Sequence, residues 1–250
     1  MPSILEPFLL SLIAGAATGL GGLLVFFLGS LSDRVVSFLM GLASGVMLLV
    51  AFIDLFFEAM TLLSHFEIMA MFSLGAITIM ALDLAIPHIE LTTKSGNGES
   101  HRLLKTGMLV ALGITIHNFP EGLVVAAGYS HIPRMGLVIA IAIMLHNIPE
   151  GIATAVPLTV AGMNRLKIVM LTLLSGLSEP LAAFVGAVIF SFVGSKSVVG
   201  SSLAFAASVM TYLTADELLP VACEYGHKHT VSVGLLVGMM FAILIDALLS

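Results

Sequence analysis

The sequence predicts an all-α polytopic membrane protein of eight transmembrane helices, and three observations predict it. Its 250 residues are 59% hydrophobic and 10% charged, with a mean hydropathy of +1.14, far from the composition of a soluble globular domain. The apolar residues fall into runs that each reach the ~20 residues a helix needs to cross the hydrocarbon core. The breaks between runs are short and polar or rich in Gly and Ser, as in "SLSDR" and "GSKS". A lone Cys223 leaves no disulfide framework to read. The stretch "MPSILEPFLLSLIAGAATGLGG" lacks a basic n-region and runs on at full spanning length, so it reads as a helix rather than a cleavable signal. The net charge of −6 comes from acids scattered through apolar segments rather than from a surface tail, and no nucleic-acid partner is expected.

In chain order the expected helices run over 4–29, 35–60, 67–87, 106–129, 134–161, 166–193, 199–225 and 231–249. The first two carry "GAATGLGG" and "GLASG", which put small residues at four-residue spacing and let helix backbones approach closely in lipid. One connection is long: "HIELTTKSGNGESHRLLK", 88–105, is polar and glycine-bearing and reads as a flexible loop. No soluble domain fits elsewhere, so 1–250 reads as one transmembrane unit. In helix two, "ASGVMLLVAFID" (43–54) loosely echoes "ASVMTYLTADE" (207–217) in helix seven. This echo suggests a 3+2+3 arrangement, with the first and last three helices repeat-related around a central pair, as in many secondary transporters.

Orientation follows from the basic residues, which concentrate in cytoplasmic loops. An outside N-terminus puts seven inside (Arg34, Lys94, Arg102, Lys105, Arg165, Lys167, Lys228) against two outside (Arg134, Lys196). Both termini are therefore expected on the non-cytoplasmic side of a cell (inner) membrane, with 88–105 in the cytoplasm.

The costly residues lie at mid-depth. "HNFPEGLVVAAG" begins at 117, halfway along helix four, and "HNIPEGIATAVP" begins at 146, halfway along helix five. In each, His and Glu are four apart on one helical face, with Asn beside them: His117, Asn118 and Glu121, then His146, Asn147 and Glu150. Pro120 and Pro149 remove a backbone donor just where the polar side chains project, so each helix is expected to loosen there. In helix six, "LSGLSEPLAAF" puts Glu179 at the same depth, again beside a proline. An ionised carboxylate at the bilayer centre costs ~2.5–3.5 kcal/mol even on insertion scales. Three together need a positive partner, and these helices offer no Lys or Arg at that depth. A divalent cation supplies it, and imidazole with carboxylate and amide oxygen suits Zn²⁺, Fe²⁺, Mn²⁺ or Co²⁺.

Further acids are strung along the depth of the membrane: Asp54, Glu58 and Asp246 toward the outer face, and Asp83, Asp216, Glu217 and Glu224 toward the inner one. Of these, Asp54, Asp216 and Glu217 are the candidates for a cation pathway. The remaining histidines at the inner side, His88, His101, His227 and His229, read mainly as solvated loop residues.

"HNFPEG", "HNIPEG" and "GLSEP", with "DLAIPH" (83–88) and "DELLP" (216–220), make the chain resemble the ZIP family of divalent metal transporters, in its bacterial branch with a short cytoplasmic loop. The resemblance spans all eight helices. It implies a one- or two-metal transport site made by His117, Asn118, Glu121, His146, Asn147, Glu150 and Glu179. It further implies import of zinc, with iron, manganese, cobalt or cadmium as other cargo, by movement of helices one, four, five and six against two, three, seven and eight, in a homodimer. Some members carry an aspartate where this chain has Asn147, which implies less charge here for a second ion. The metal is cargo, and no catalytic cofactor is expected. An intramembrane metalloenzyme with a carboxylate-bridged site is the alternative; such sites favour Glu-x-x-His spacing, whereas here His precedes Glu by four. A channel or exporter on the same ligands is a third reading.

Overall fold

The computed structural model describes residues 4–85, 98–131, 133–190 and 196–249, and these form helices joined by short turns. Eight are long and apolar enough to cross a membrane: α1 Leu5–Leu28, α2 Asp33–Leu62, α3 His65–Leu84, α4 Ser100–Ser130, α5 Pro133–Val160, α6 Arg165–Phe190, α7 Lys196–Glu224 and α8 Lys228–Leu248. The chain is therefore an integral membrane protein. One boundary moves: residues 98–105 of the expected loop are helical and extend α4. The physical reason is tertiary, since Arg102 and Lys105 find acidic partners on neighbouring helices there. His88, Lys94 and the rest of 86–97 lie outside the described residues.

Helix ends follow their local chemistry. At the start of α3, Ser64 and Glu67 form a reciprocal cap: the Ser64 amide donates to Glu67 Oε2 at 2.9 Å and the Glu67 amide to Ser64 Oγ at 3.4 Å. Asn164 Oδ1 caps α6 by accepting from the amides of Leu166 (3.0 Å) and Lys167 (3.3 Å). At the turn after α5, Gly162 adopts a φ of +81°, a conformation that glycine enters without a Cβ penalty.

Glycines set how the helices pack. A methyl group at Gly15 of α1 would overlap the backbone carbonyl of Gly176 on α6, one at Gly151 of α5 would overlap that of Thr18 on α1, and one at Gly122 of α4 would overlap that of Glu179. Gly45 of α2 meets the carbonyl of Leu235 on α8, and Gly75 of α3 meets that of Phe205 on α7. Among the described residues, close approaches of a glycine to another helix's carbonyl fall within α1/α4/α5/α6, within α2/α8 or within α3/α7. Between α4 and α7, Gly113 faces only the side chain of Leu213. Backbone-to-backbone seams interlock more rigidly than side-chain contacts, so they mark out which helices are held together.

Among the described residues, two helices contain wide π turns: Val50–Phe56 in α2 and Thr214–Leu218 in α7. These turns overlap the C-terminal ends of the two echoing segments, 43–54 and 207–217, and they hold Asp54 on one side and Asp216 and Glu217 on the other. Such bulges re-aim side chains and recur at functional sites. The prolines act unevenly. Helices α4 and α5 run through Pro120 and Pro149 without a break, whereas α6 is interrupted at Leu177, just ahead of Glu179 and Pro180.

Candidate metal centre

The duplicated motifs meet. His117, Asn118, Asn147, Glu150 and Glu179 have no exposed surface, Glu121 has 1% and His146 6%. Among the described residues no Lys or Arg is buried with them. The two motifs are joined crosswise: His117 Nε2 on α4 lies 2.9 Å from Glu150 Oε1 on α5, and His146 Nε2 on α5 lies 3.1 Å from Glu121 Oε1 on α4. Each imidazole thus faces the carboxylate of the other helix. Ligand atoms of His117, Glu121 and Glu150 all lie within 4.8 Å of one another. A cation bonded at ~2.0–2.2 Å to nitrogen and oxygen is reached from that arrangement by small side-chain adjustments.

The lone pairs left over test whether a cation fits. His117 Nδ1, Glu121 Oε2, Glu150 Oε2, Glu179 Oε2, Asn147 Oδ1 and both amide atoms of Asn118 are buried without a hydrogen-bond partner among the described residues. A buried polar atom left unpaired costs about 1–3 kcal/mol, more if charged. So many at one depth, most of them oxygen acceptors, fit the needs of a hard-to-borderline cation. Two carboxylates and an imidazole carry a charge that a divalent ion balances.

Asn147 and Glu179 make a separate pair. The Asn147 Nδ2 donates to Glu179 Oε1 at 2.6 Å and to the backbone carbonyl of Ala14 on α1 at 2.9 Å. One amide therefore ties together α5, α6 and α1, leaving only its Oδ1 for another partner. This role of α1 was not foreseen from the sequence. The small-residue run around Ala14 and Gly15 is its trace in the sequence, and small residues alone signal packing rather than a polar partner.

The outlying acids separate. Asp54 and Asp246 line a cavity of about 200 Å³ with Val50, Ala142, Ile245 and His146, so the His146 side of the group borders a space shared with these two acids. Glu217 is 9% exposed and accepts from Thr106 Oγ1 at 2.6 Å, toward the other end. Asp216 is exposed.

Comparison with known proteins agrees with this geometry. The family model described as ZIP zinc transporter matches residues 88–246. The "Zinc transporter ZupT" of Chlorobaculum parvum is 36% identical over 264 residues, covering 99% of this chain and 98% of its own. Those of Oceanobacillus iheyensis (37% over 258 residues, 96% of each chain) and Streptococcus mutans (34% over 247 residues, 93% of each chain) align over nearly as much. The chain belongs to the ZIP zinc transporter family.

Proposed function

We propose that this protein carries divalent transition-metal cations, zinc foremost, across the cell (inner) membrane into the cytoplasm, with iron and manganese as further cargo. The observation that carries the reading is the buried His117, Glu121 and Glu150 group, whose ligand atoms lie within 4.8 Å of one another and whose spare lone pairs have no partner among the described residues. The names of the relatives support zinc as cargo and transport rather than catalysis.

In this reading His117, Glu121, Glu150 and His146 are the primary ligands, with Asn118 completing the shell. Asn147 and Glu179 form an adjoining position that the Asn147 amide leaves short of charge for a second ion. Cations are drawn in past Asp54, concentrated by its negative charge at the mouth of the cavity. They leave past Glu217 and Asp216. The whole of 1–250 acts as one transport unit. The excess of Lys and Arg at one end of the helices supports an inward-facing basic end and termini on the opposite side. The pattern of glycine seams supports movement of α1, α4, α5 and α6 as one body against α2, α3, α7 and α8. A homodimer in the bilayer is the assembly that goes with the family resemblance.

The test is metal uptake into sealed proteoliposomes, compared across Zn²⁺, Fe²⁺, Mn²⁺ and Cd²⁺. Saturable zinc uptake that the other ions compete for is the expected result. Vesicles no more permeable to zinc than protein-free liposomes would refute the reading.

A further inference from the structure

The two ends of the helix bundle are closed differently. At one end the cavity lined by Asp54, Asp246 and His146 separates α5 from α2 and α8. At the other, α4 is fastened to α3 and α7 by charge. The Arg102 guanidinium forms a two-pronged ion pair with the carboxylate of Glu224 on α7. Lys105 Nζ lies 2.6 Å from Asp83 Oδ1 on α3, and Thr106 Oγ1 donates to Glu217 Oε2 on α7 at 2.6 Å. Just above these pairs Leu109 of α4 packs, without exposed surface, against Ile79 of α3 and Val209 and Leu213 of α7. Two turns farther along α4 comes His117.

The charges are segregated. Both cations are on α4, within the helix set that carries the metal ligands, and all three acids are on α3 and α7, within the other set. Among the described residues, helices α1, α4, α5 and α6 meet backbone to backbone at glycines, as do α2 with α8 and α3 with α7. Between α4 and α7 they meet through ion pairs and apolar side chains. An interface of that kind separates without unfolding either side.

We propose that Arg102–Glu224 and Lys105–Asp83 form a breakable latch. The pairs hold the basic end of the protein shut over the Leu109 layer while the other end is open, and they must part before metal leaves at the basic end. The inference rests on the two-body reading given above. Strength is consistent with a latch rather than a weld. The Arg102 and Glu224 side chains are 45% and 41% exposed, and an exposed pair shifts an equilibrium by about two- to fivefold. The Lys105 and Asp83 side chains are 27% and 15% exposed, so water screens that pair less.

The test is the reactivity of a single cysteine, Leu109→Cys in a Cys223→Ser background, toward a membrane-impermeant maleimide applied from the basic end. With the latch intact the thiol reacts slowly. Combining Arg102→Gln with Lys105→Gln, which introduces no repulsion, should raise the labelling rate about fivefold or more. Arg102→Glu alone and Glu224→Arg alone should raise it as well, and the two reversals together should bring it back to within about twofold of the parent. Return of slow labelling in the double reversal also shows that the chain is folded. Equal labelling in the parent, the neutralised variant and both single reversals overturns the latch. A double reversal that labels as fast as the singles overturns the pairing of Arg102 with Glu224. Labelling needs no metal, so a chain that takes up no zinc would refute the transport reading while leaving this readout intact.

Discussion

His117 on α4 faces not the glutamate of its own motif but Glu150 on α5, its Nε2 2.9 Å from Glu150 Oε1. The crossing means that neither motif forms a site alone. Each helix contributes an imidazole to the other's carboxylate, and a shift of α4 relative to α5 would break both contacts and the candidate ligand group. The tight seam between these helices and their shared neighbours α1 and α6 follows from that requirement.

Packing at the seam is therefore a lever on function. Gly151→Ala would drive a methyl group into the carbonyl of Thr18 on α1, and overpacking of this kind typically costs about 1–3 kcal/mol. The expected outcome is a lowered unfolding temperature in detergent and weakened zinc binding, although no ligand is touched. Unchanged stability and binding in the purified variant would mean that α1 does not press on the site.

Asn147→Asp replaces a donor with an acceptor beside Glu179 Oε1, now 2.6 Å away, and beside the carbonyl of Ala14. The metal-free variant should lose stability by about 1–3 kcal/mol, and saturating zinc should restore it. Metal content by mass spectrometry should rise above that of the parent chain, with Asn118→Asp as the matched control. Identical stoichiometry and affinity in Asn147→Asp would place residue 147 outside the site.

Asp54→Asn removes charge from the cavity mouth without touching the buried ligands. Zinc uptake at low concentration should fall and KM rise by about two- to tenfold, while the maximal rate and the zinc affinity of detergent-solubilised protein stay near those of the parent. A change confined to the maximal rate would count against a steering role.

Acidification gives a further test with a fixed sign. Imidazoles ligate metal only when neutral and carboxylates only when ionised, so protons compete with zinc for the same atoms and binding weakens as pH falls. Titration of the purified protein with zinc between about pH 5 and 8 should show affinity falling steadily toward the acid end. Tighter binding at acid pH would contradict an imidazole-ligated site.

Much of this was legible in the sequence because lipid leaves few choices. Eight apolar runs can only be helices, and a charged residue at 121, 150 or 179 fixes its own depth. Depth does not fix rotation, so which imidazole meets which carboxylate was not readable, nor was the carbonyl of Ala14 as a partner for Asn147. The ion pair of Arg102 with Glu224 joins residues 122 positions apart and depends on which helices are neighbours, information that periodicity does not carry. The extension of α4 back through Arg102 escaped for the same reason, since a polar stretch is helical there only because its charges are matched.

The central claim is that one cation is carried by ligands from both motifs. Zinc uptake into sealed proteoliposomes by Glu121→Ala and Glu150→Ala, each at membrane incorporation equal to that of the parent chain, tests it most directly. Both variants should insert, since each removes a charge from the membrane interior, and both should take up zinc at less than about a tenth of the parent rate. Uptake near the parent rate in either variant would contradict the account.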